Sequence, residues 1–411
     1  MKKLLFILTF LSGIFLCTAT YACTTVIISA RKTVSGRPLM LKNRDSDNLD
    51  NRIEYFSGPI YNFIGLVNSE STGGEVWAGT NSAGFCIMNT ASYNLKDDDV
   101  PAEMMDREGT LMFRALGICS TVKDFENFLD NISKPMGVEA NFGVIDASGG
   151  AAYYEVDNNN WVKYDVNEIP EGYRVVTNFS ESGRPEDYKG YERWLTASDI
   201  MKEFEAKAED GLMDVGPHDI FYGMSRSYRS SMTGIDWLNG YYKLKSELDF
   251  KGIVVDQDLI PRRSTSASIV FEGVKPGDNP LHTVMWTLLG YPCCTVSVPL
   301  LVGDSDMIPS YMKASTSSNN AWMCDIARKI KDHSVFRFTL SNGSSYFDLN
   351  NVMELLHNCL VTESMLEGKW QNLYSGWVEG SLDMSGFKEG YSSFCNEYFE
   401  GYLGQFASFI Q

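Results

Sequence analysis

The chain has 411 residues and a formal net charge of −18, from 53 acidic and 35 basic side chains. This excess of acidic groups argues against a nucleic-acid-binding protein, which needs a basic surface to meet the phosphate backbone. Hydrophobic residues make up 44% of the chain and charged residues 21%, which is typical of a folded globular protein rather than a disordered one.

Residues 1–22 have the pattern of a secretory signal peptide. Two lysines precede a short apolar run at 4–16, and Thr20 and Ala22 place small residues three and one positions before Cys23. The run is too short to span a bilayer comfortably, and no later stretch predicts a transmembrane segment. We therefore predict cleavage after Ala22 and an exported protein, periplasmic or secreted, whose mature chain begins at Cys23.

An N-terminal cysteine carries a thiol and a free α-amine on one residue. The pKa of an α-amine is roughly 7.7–8.0, so the amine of Cys23 could take the thiol proton and serve as its general base. Two alternatives remain open. A bacterial lipoprotein signal also ends before a cysteine, which would make Cys23 a lipid attachment site, although Thr20 disfavours this because such signals prefer Leu or a similar residue there. Cys23 could also be a buried structural cysteine.

The mature chain begins with a predicted β-hairpin. A strand at 24–30, a turn at 35–38 and a second strand at 39–42 would pair antiparallel. This pairing brings the polar residues that follow the second strand, at 42–45, back beside Cys23.

Clusters of strands and helices follow in the rest of the chain. The predicted strands lie at 63–67, 75–79, 85–89, 141–147, 151–156, 161–164, 173–179, 266–272 and 284–289. The predicted helices lie at 108–131 (with a second helix start at Thr121), 187–208, 217–226, 321–331, 350–367 and 391–411. This order favours antiparallel sheets covered by helices over a parallel βαβ repeat.

Several polar side chains end these strands and could surround Cys23. Asn89 ends the strand at 85–89, and Asn178 lies near the end of the strand at 173–179. Asn side chains are common hydrogen-bond donors to the oxyanion of an acyl-transfer intermediate. An Asn at a strand end is often only a turn residue, so the hypothesis depends on the combination.

That combination resembles a known group of enzymes. The motifs, in chain order, are Cys-Thr at 23–24, Lys-Asn-Arg-Asp at 42–45, Asn-Ser-Ala-Gly-Phe at 81–85 running on to Asn89, and Thr-Asn at 177–178. This order resembles the N-terminal-nucleophile (Ntn) hydrolases, most closely the choloylglycine hydrolase and acyl-coenzyme A:6-aminopenicillanate acyltransferase group, over roughly residues 23–305. The resemblance implies an α+β fold, a four-layer αββα sandwich at 23–310, with a mainly helical C-terminal extension at 311–411 packed on the core.

The resemblance also implies roles for individual residues. Cys23 would be both nucleophile and base, and Asp45 would contact the N-terminal amine. Asn178 would help to shape the oxyanion hole, and Asn89 would match the Asn at the end of the preceding motif.

The cationic residues match the group less closely. Bile-salt hydrolases carry Arg where this chain has Lys42. Arg44 is the alternative cation, and we expect its side chain to point away from that of Lys42. Arg263 is the candidate for a late arginine of the family, with Arg226 and Arg229 as competitors.

The implied activity is hydrolysis or acyl transfer at a linear amide C–N bond through a thioester on Cys23. It needs no cofactor, and irregular cysteine spacing with only four histidines predicts no metal site. The expected partner is a small N-acyl amide, and a homo-oligomer is left open. A dipeptidase of the same clan and a lipid-anchored surface binding protein are the alternatives. The sequence does not specify the acyl group or the amine.

Overall fold

The computed structural model describes residues 22–95, 100–247, 250–339 and 345–410. The predicted signal peptide, except for Ala22, lies outside the described residues. In chain order the strands are β1 (Cys23–Ile28), β2 (Leu39–Asp45), β3 (Asn51–Ser57), β4 (Asn62–Asn68), β5 (Ala78–Asn81), β6 (Cys86–Ala91), β7 (Ala140–Ile145), β8 (Ala151–Val156), β9 (Trp161–Asp165), β10 (Tyr173–Val176), β11 (Arg229–Ser230), β12 (Ile235–Asp236), β13 (Ile253–Val255), β14 (Thr265–Glu272), β15 (Val284–Leu289), β16 (Val298–Leu300), β17 (Phe338–Thr339) and β18 (Ser345–Asp348).

The helices flank these strands. They are α1 (Glu108–Ile118), α2 (Val122–Asn131), α3 (Tyr191–Ala206), α4 (Pro217–Ile220), α5 (Trp237–Glu247), α6 (Trp322–Ile330), α7 (Leu349–Val378), α8 (Met384–Gln405) and α9 (Ala407–Ile410). Both α4 and α6 continue into a π-helical turn, at Phe221–Ser225 and Lys331–Val335 respectively.

Two antiparallel sheets form the centre of the molecule. The first has six strands in the order β10-β1-β2-β14-β15-β16, and the second has seven strands in the simple order β3 to β9. In the first sheet β1 and β2 form the predicted hairpin, in which Cys23 pairs with Arg44 and Ile28 with Leu39.

The two sheets pack face to face. Successive side chains along one strand point alternately to the other sheet and to the helices, which identifies the layers. On β1 the Thr25 hydroxyl accepts a hydrogen bond from Tyr153 of the second sheet, whereas the Thr24 hydroxyl accepts one from Arg193 of α3. On β6 Met88 belongs to the apolar cluster between the sheets, and Ile87 to the cluster beneath α1 and α2. Helices therefore cover the outer face of each sheet, and the predicted α+β, αββα fold is confirmed.

The C-terminal region is helical, as predicted, and packs on the first sheet. The helices α7 and α8 contact each other, and aromatic side chains of α8 lie in the same apolar cluster as β14 and β15. The Tyr391 hydroxyl donates to the carbonyl of Pro299 (2.6 Å), and that of Tyr402 donates to Cys294 (2.8 Å). The boundary at residue 310 stays a prediction.

Some elements differ from the sequence-based prediction. The second helix start at Thr121 is confirmed, since residues 108–131 form two helices, with Thr121 and Asp124 in a capping box at the start of α2. The strand β3 and the helix α5 were not predicted. The helix α7 runs to Val378, eleven residues beyond its predicted end at 367.

Within the described ranges, no helix has both the length and the apolar character needed to cross a membrane. The eight cysteines that the structure describes are all buried thiols, and none forms a disulfide with another.

Candidate active site

Strand pairing in the first sheet gathers most of the predicted residues at one edge. Cys23 opens β1, opposite Arg44 near the end of β2, and β10 on its other side runs antiparallel and ends two residues before Asn178. The polar residues at the ends of β2 and β10 therefore meet at Cys23, the first residue of β1, which is 5% exposed.

Asn178 binds the backbone of Cys23. Its Oδ1 accepts a hydrogen bond from the Cys23 amide nitrogen at 2.9 Å, and its Nδ2 donates to the carbonyl of Ala91 at 3.0 Å. Because both contacts need this orientation of the amide, an acceptor faces the nitrogen that would become the α-amine. The predicted contribution of Asn178 to an oxyanion hole stays a prediction.

Arg193 of α3 is a site residue that the sequence reasoning missed. Its guanidinium donates to the carbonyl of Cys23 (2.6 Å), to Asn178 Oδ1 (2.9 Å) and to the Thr24 hydroxyl (3.1 Å). It also forms an ion pair with Asp258 at 3.0 Å, and its side chain is only 2% exposed. Arg193 thus fixes both the backbone of the candidate nucleophile and the amide that contacts it.

A detectable signal for Arg193 exists in the sequence. Arg193, Ala197 and Ile200 recur at helical spacing on the buried face of α3. An arginine on an apolar stripe is unusual, because a buried guanidinium needs partners.

Lys42 and Asn89 lie together between the two sheets. The Lys42 ammonium donates to Asn89 Oδ1 (2.7 Å) and to the carbonyl of Trp77 (2.5 Å). Burial and the nearby Arg44 lower the pKa of Lys42 to about 7, although the Cys23 thiol and the Glu108 carboxyl act in the opposite direction. Lys42 is therefore close enough to interact electrostatically with the Cys23 side chain.

Asn89 has a hydrogen-bond donor available. Lys42 holds its Oδ1, so its Nδ2 points elsewhere, and among the described residues that nitrogen donates to no acceptor. A buried amide with one anchored end and one unused donor suits the stabilisation of a developing negative charge.

Arg44 does not point away from Lys42, so that expectation was wrong. The two residues are two apart on one strand, and alternate residues share a face. The Arg44 guanidinium binds Asn51 Oδ1 (2.7 Å), Asn68 Oδ1 (2.9 Å) and the Ser266 hydroxyl (3.0 Å). Arg44 thus links the two sheets beside Cys23.

Asp45 lies on the opposite face of β2 from Lys42 and Arg44. Its Oδ1 accepts from the Thr265 hydroxyl at 2.6 Å, and its Oδ2 lies 3.5 Å from Arg262 Nε. Burial raises the pKa of Asp45 to about 6, against the lowering effect of Arg262 and Arg193. Its backbone nitrogen donates to the carbonyl of Ala22 (2.9 Å), the residue before the predicted cut. A contact between its carboxylate and the amine stays a prediction.

Among the late arginines, Arg262 forms an ion pair with Asp45. Arg263 lines the same cavity, described below, and its carbonyl accepts from Lys331 at 3.1 Å. Arg226 is fully buried in an ion pair with Glu363, and Arg229 pairs with Glu203 at 2.5 Å. In the described part of the chain, neither competitor forms a hydrogen bond with Cys23.

A cavity of about 760 Å³ opens beside the predicted cleavage point. Ala22, Asn178 and Arg193 form the wall nearest to Cys23. The remaining lining residues are mostly polar or charged: Ser46, Asp47, Leu49, Tyr93, Lys189, Gly190, Asp256, Gln257, Asp258, Arg262, Arg263 and Ser264. No group of three His, Cys, Asp or Glu side chains suited to a metal ion occurs in the described part of the chain.

Neither a protein-family model nor a curated protein matches this sequence. Solved structures similar in fold include an N-acylethanolamine-hydrolyzing acid amidase (NAAA) ortholog of Caenorhabditis elegans, at 13% identity and a TM-score of 0.40, covering 63% of this chain and 93% of that chain. A mutant conjugated bile acid hydrolase from Clostridium perfringens has 12% identity, a TM-score of 0.38 and coverages of 65% and 89%. Penicillin V acylase from Agrobacterium tumefaciens has 11% identity, a TM-score of 0.40 and coverages of 68% and 86%.

Proposed function

We propose that this protein is an exported amidohydrolase or acyltransferase that uses Cys23, freed at its N-terminus, to cleave a linear amide. One observation carries the proposal. The backbone of Cys23 is held from both sides, by Asn178 at its nitrogen and by Arg193 at its carbonyl, beside a cavity that ends at Ala22. Removal of Ala22 and the residues before it would join the new α-amine to that cavity.

The reaction follows from these positions. The α-amine of Cys23 takes the thiol proton, and the thiolate attacks the amide carbonyl carbon. In this scheme Asn89 Nδ2 donates to the resulting oxyanion, because Lys42 binds the Oδ1 of the same amide and leaves Nδ2 unused. The C–N bond then breaks, the leaving nitrogen takes the proton from the α-amine, and water or a second amine resolves the thioester.

The remaining charged residues position the nucleophile. Arg193 holds the carbonyl of Cys23, and Asn178 holds its nitrogen. Asp45 forms an ion pair with Arg262, and its backbone nitrogen donates to the carbonyl of Ala22. These contacts keep the amine and the thiol in one orientation, which is what proximity catalysis requires.

The first test combines processing and chemistry. We expect the protein exported by its natural host to begin at an unmodified Cys23, as measured by intact mass and N-terminal sequencing. A lipid on Cys23 would replace the enzyme interpretation with the surface-anchor alternative, because acylation of the amine removes the base.

The second test addresses the nucleophile directly. Cys23→Ser should lose most amidase activity toward N-acyl amides while it keeps the native fold, as judged by circular dichroism. Cys119→Ser, at another buried thiol, is the matched control and should keep its activity. Full activity of the Cys23 variant would refute the assignment.

A further inference from the structure

The cavity beside Ala22 lies where the substrate of the proposed reaction would bind. Asn178 and Arg193 both line it and both hydrogen-bond to the backbone of Cys23. A molecule in this cavity would therefore lie against the amine of the processed chain. Its volume of about 760 Å³ falls in the range of pockets that bind small molecules.

The cavity wall is unsuited to an apolar group. Two of its lining residues, Ala22 and Leu49, have apolar side chains, whereas seven carry charge: Asp47, Lys189, Arg193, Asp256, Asp258, Arg262 and Arg263. Burying charged groups against a hydrocarbon removes their hydration without replacing it. The moiety that binds here should therefore be polar.

Some of these charges already neutralise each other. Asp258 forms ion pairs with both Arg193 and Arg262, and Arg262 also faces Asp45. These ion pairs leave less of that charge available to a ligand.

One part of the wall contains unpaired acceptors. Asp256 Oδ1 and Gln257 Oε1 are buried oxygen atoms with no hydrogen-bond partner among the described residues. Buried polar atoms in folded proteins are normally paired. Two unpaired acceptors on adjacent residues of a cavity wall call for a donor from a ligand, and an ammonium group would supply it.

Another part of the wall presents a cation. Lys189 stacks over the Tyr93 ring at 4.3 Å and, in the ranges that the structure describes, forms no ion pair with a carboxylate. Its ammonium group would therefore attract a ligand carboxylate.

Resting on the function proposed above, we infer that the substrate is a small amide that carries both an ammonium and a carboxylate group, as a free dipeptide does. The ammonium binds near Asp256 and Gln257, and the carboxylate binds near Lys189. Hydrolysis of such a substrate adds one water across the amide bond and releases two amino acids.

Four matched substrates test this inference on the processed protein: L-alanyl-L-alanine, its N-acetyl derivative, its C-terminal amide and the compound blocked at both ends. All four contain the same scissile bond. We expect kcat/KM to fall about tenfold or more for each charge removed. Equal or faster cleavage of the doubly blocked compound would overturn the inference.

Two variants assign the charges to their ends. Lys189→Gln should weaken the preference for substrates with a free carboxylate and leave the preference for a free amine unchanged. Lys189→Arg, which keeps the positive charge, should restore the preference for the carboxylate. Asp256→Asn should have the reverse effect. Lys189 is exposed, so its replacement is compatible with folding even if that of Asp256 is not. Lys275→Gln, at the other end of the sheet, is the control. Unchanged preferences in Lys189→Gln would contradict the assignment.

A non-selective acyl donor separates this inference from the proposed function. With p-nitrophenyl acetate, we expect a burst of nitrophenolate and an acetyl group on Cys23 by mass spectrometry. A burst without cleavage of the dipeptide, or without a preference for it, would overturn the substrate class alone. Absence of both the burst and any cleavage would overturn the proposed function itself.

Discussion

Asn89 contributes to the proposed site through one unused amide donor. Its Oδ1 is anchored by Lys42 at 2.7 Å, so the direction of Nδ2 is fixed before substrate binds. Asn89→Ala should lower kcat by about 10²–10³-fold, the usual cost of losing one oxyanion donor, with little change in KM. Steady-state kinetics on an N-acyl amide or a dipeptide would measure this. The exposed Asn160→Ala is the control, and a kcat for Asn89→Ala within about threefold of the wild type would exclude this role.

The buried carboxylate of Asp45 should lower the free energy of unfolding at neutral pH, where it is ionised. Burial raises its pKa to about 6 in the folded state, so the folded chain holds its proton more tightly than the unfolded chain. The stabilisation associated with that proton is complete below the unfolded pKa of about 4 and is lost as the pH rises through about 6. At pH 7 the Asp45→Asn variant should therefore be as stable as the wild type or more stable, with a gain of up to about 3 kcal/mol. It should nevertheless lose activity.

Urea unfolding at pH 4 and pH 7 would measure this difference. The stability advantage of Asp45→Asn over the wild type should grow with pH, whereas Asp47→Asn, at an exposed neighbour, should show no such growth and a smaller loss of activity. An Asp45 variant that is less stable than the wild type at pH 7 would indicate that the ion pair with Arg262 outweighs burial.

Sequence motifs located the residues whose spacing is local or whose strands pair directly. Cys23, Lys42 and Asp45 belong to one hairpin, so the turn alone brings them together. Arg193 was missed because its contact with Cys23 spans 170 residues and depends on how α3 packs across β1. A partner brought by tertiary packing leaves only the indirect signal of a charge on a buried helix face.

At the scale of elements, the start of α2 shows what local sequence can determine. The Thr121 hydroxyl accepts from the Asp124 nitrogen (3.0 Å), and the Asp124 carboxylate accepts from the Thr121 nitrogen (3.0 Å). Thr121→Ala should lower the free energy of unfolding by about 1 kcal/mol without affecting kcat. Thr121→Ser, which keeps the capping hydroxyl, should lose much less. Equal losses in chemical denaturation would point to the methyl group instead of the cap.

The strand β3 and the helix α5 show the limits of such patterns. In β3 the buried Arg52 replaces the hydrophobic residue that a periodic pattern would require, since it donates to the carbonyls of Asn68 and Ser69. In the helix α5, Tyr241 is buried in the core, whereas Trp237 and Leu238 pack against it only partly. In both cases contacts with distant parts of the chain stabilise the element, and the local sequence lacks the periodic pattern that would predict it.

At the scale of the whole molecule, a buried ion pair joins the C-terminal helices to the sandwich. The carboxylate of Glu363 on α7 accepts two hydrogen bonds from the Arg226 guanidinium, at 2.8 and 2.9 Å. It also accepts one from the Ser297 nitrogen at 2.9 Å and one from the Tyr222 hydroxyl at 3.0 Å. Burial opposes ionisation of Glu363, but Arg226 and these hydrogen bonds outweigh it and lower its pKa to about 2. The extension is thus tied to the outer face of the first sheet by charge as well as by apolar packing.

Glu363→Gln should therefore destabilise the protein by about 3–5 kcal/mol at pH 7, because it leaves Arg226 buried without its counter-ion. Since the folded pKa of Glu363 is depressed, its contribution is complete above the unfolded pKa of about 4.5 and disappears as the pH falls through about 2. The gap between variant and wild type in urea unfolding should narrow over that window. Glu397→Gln, which loses an exposed pair with Lys369, should cost at most about 1 kcal/mol. If the two variants lost the same stability, apolar packing alone would hold the extension to the sheet, and the Arg226 pair would serve another purpose.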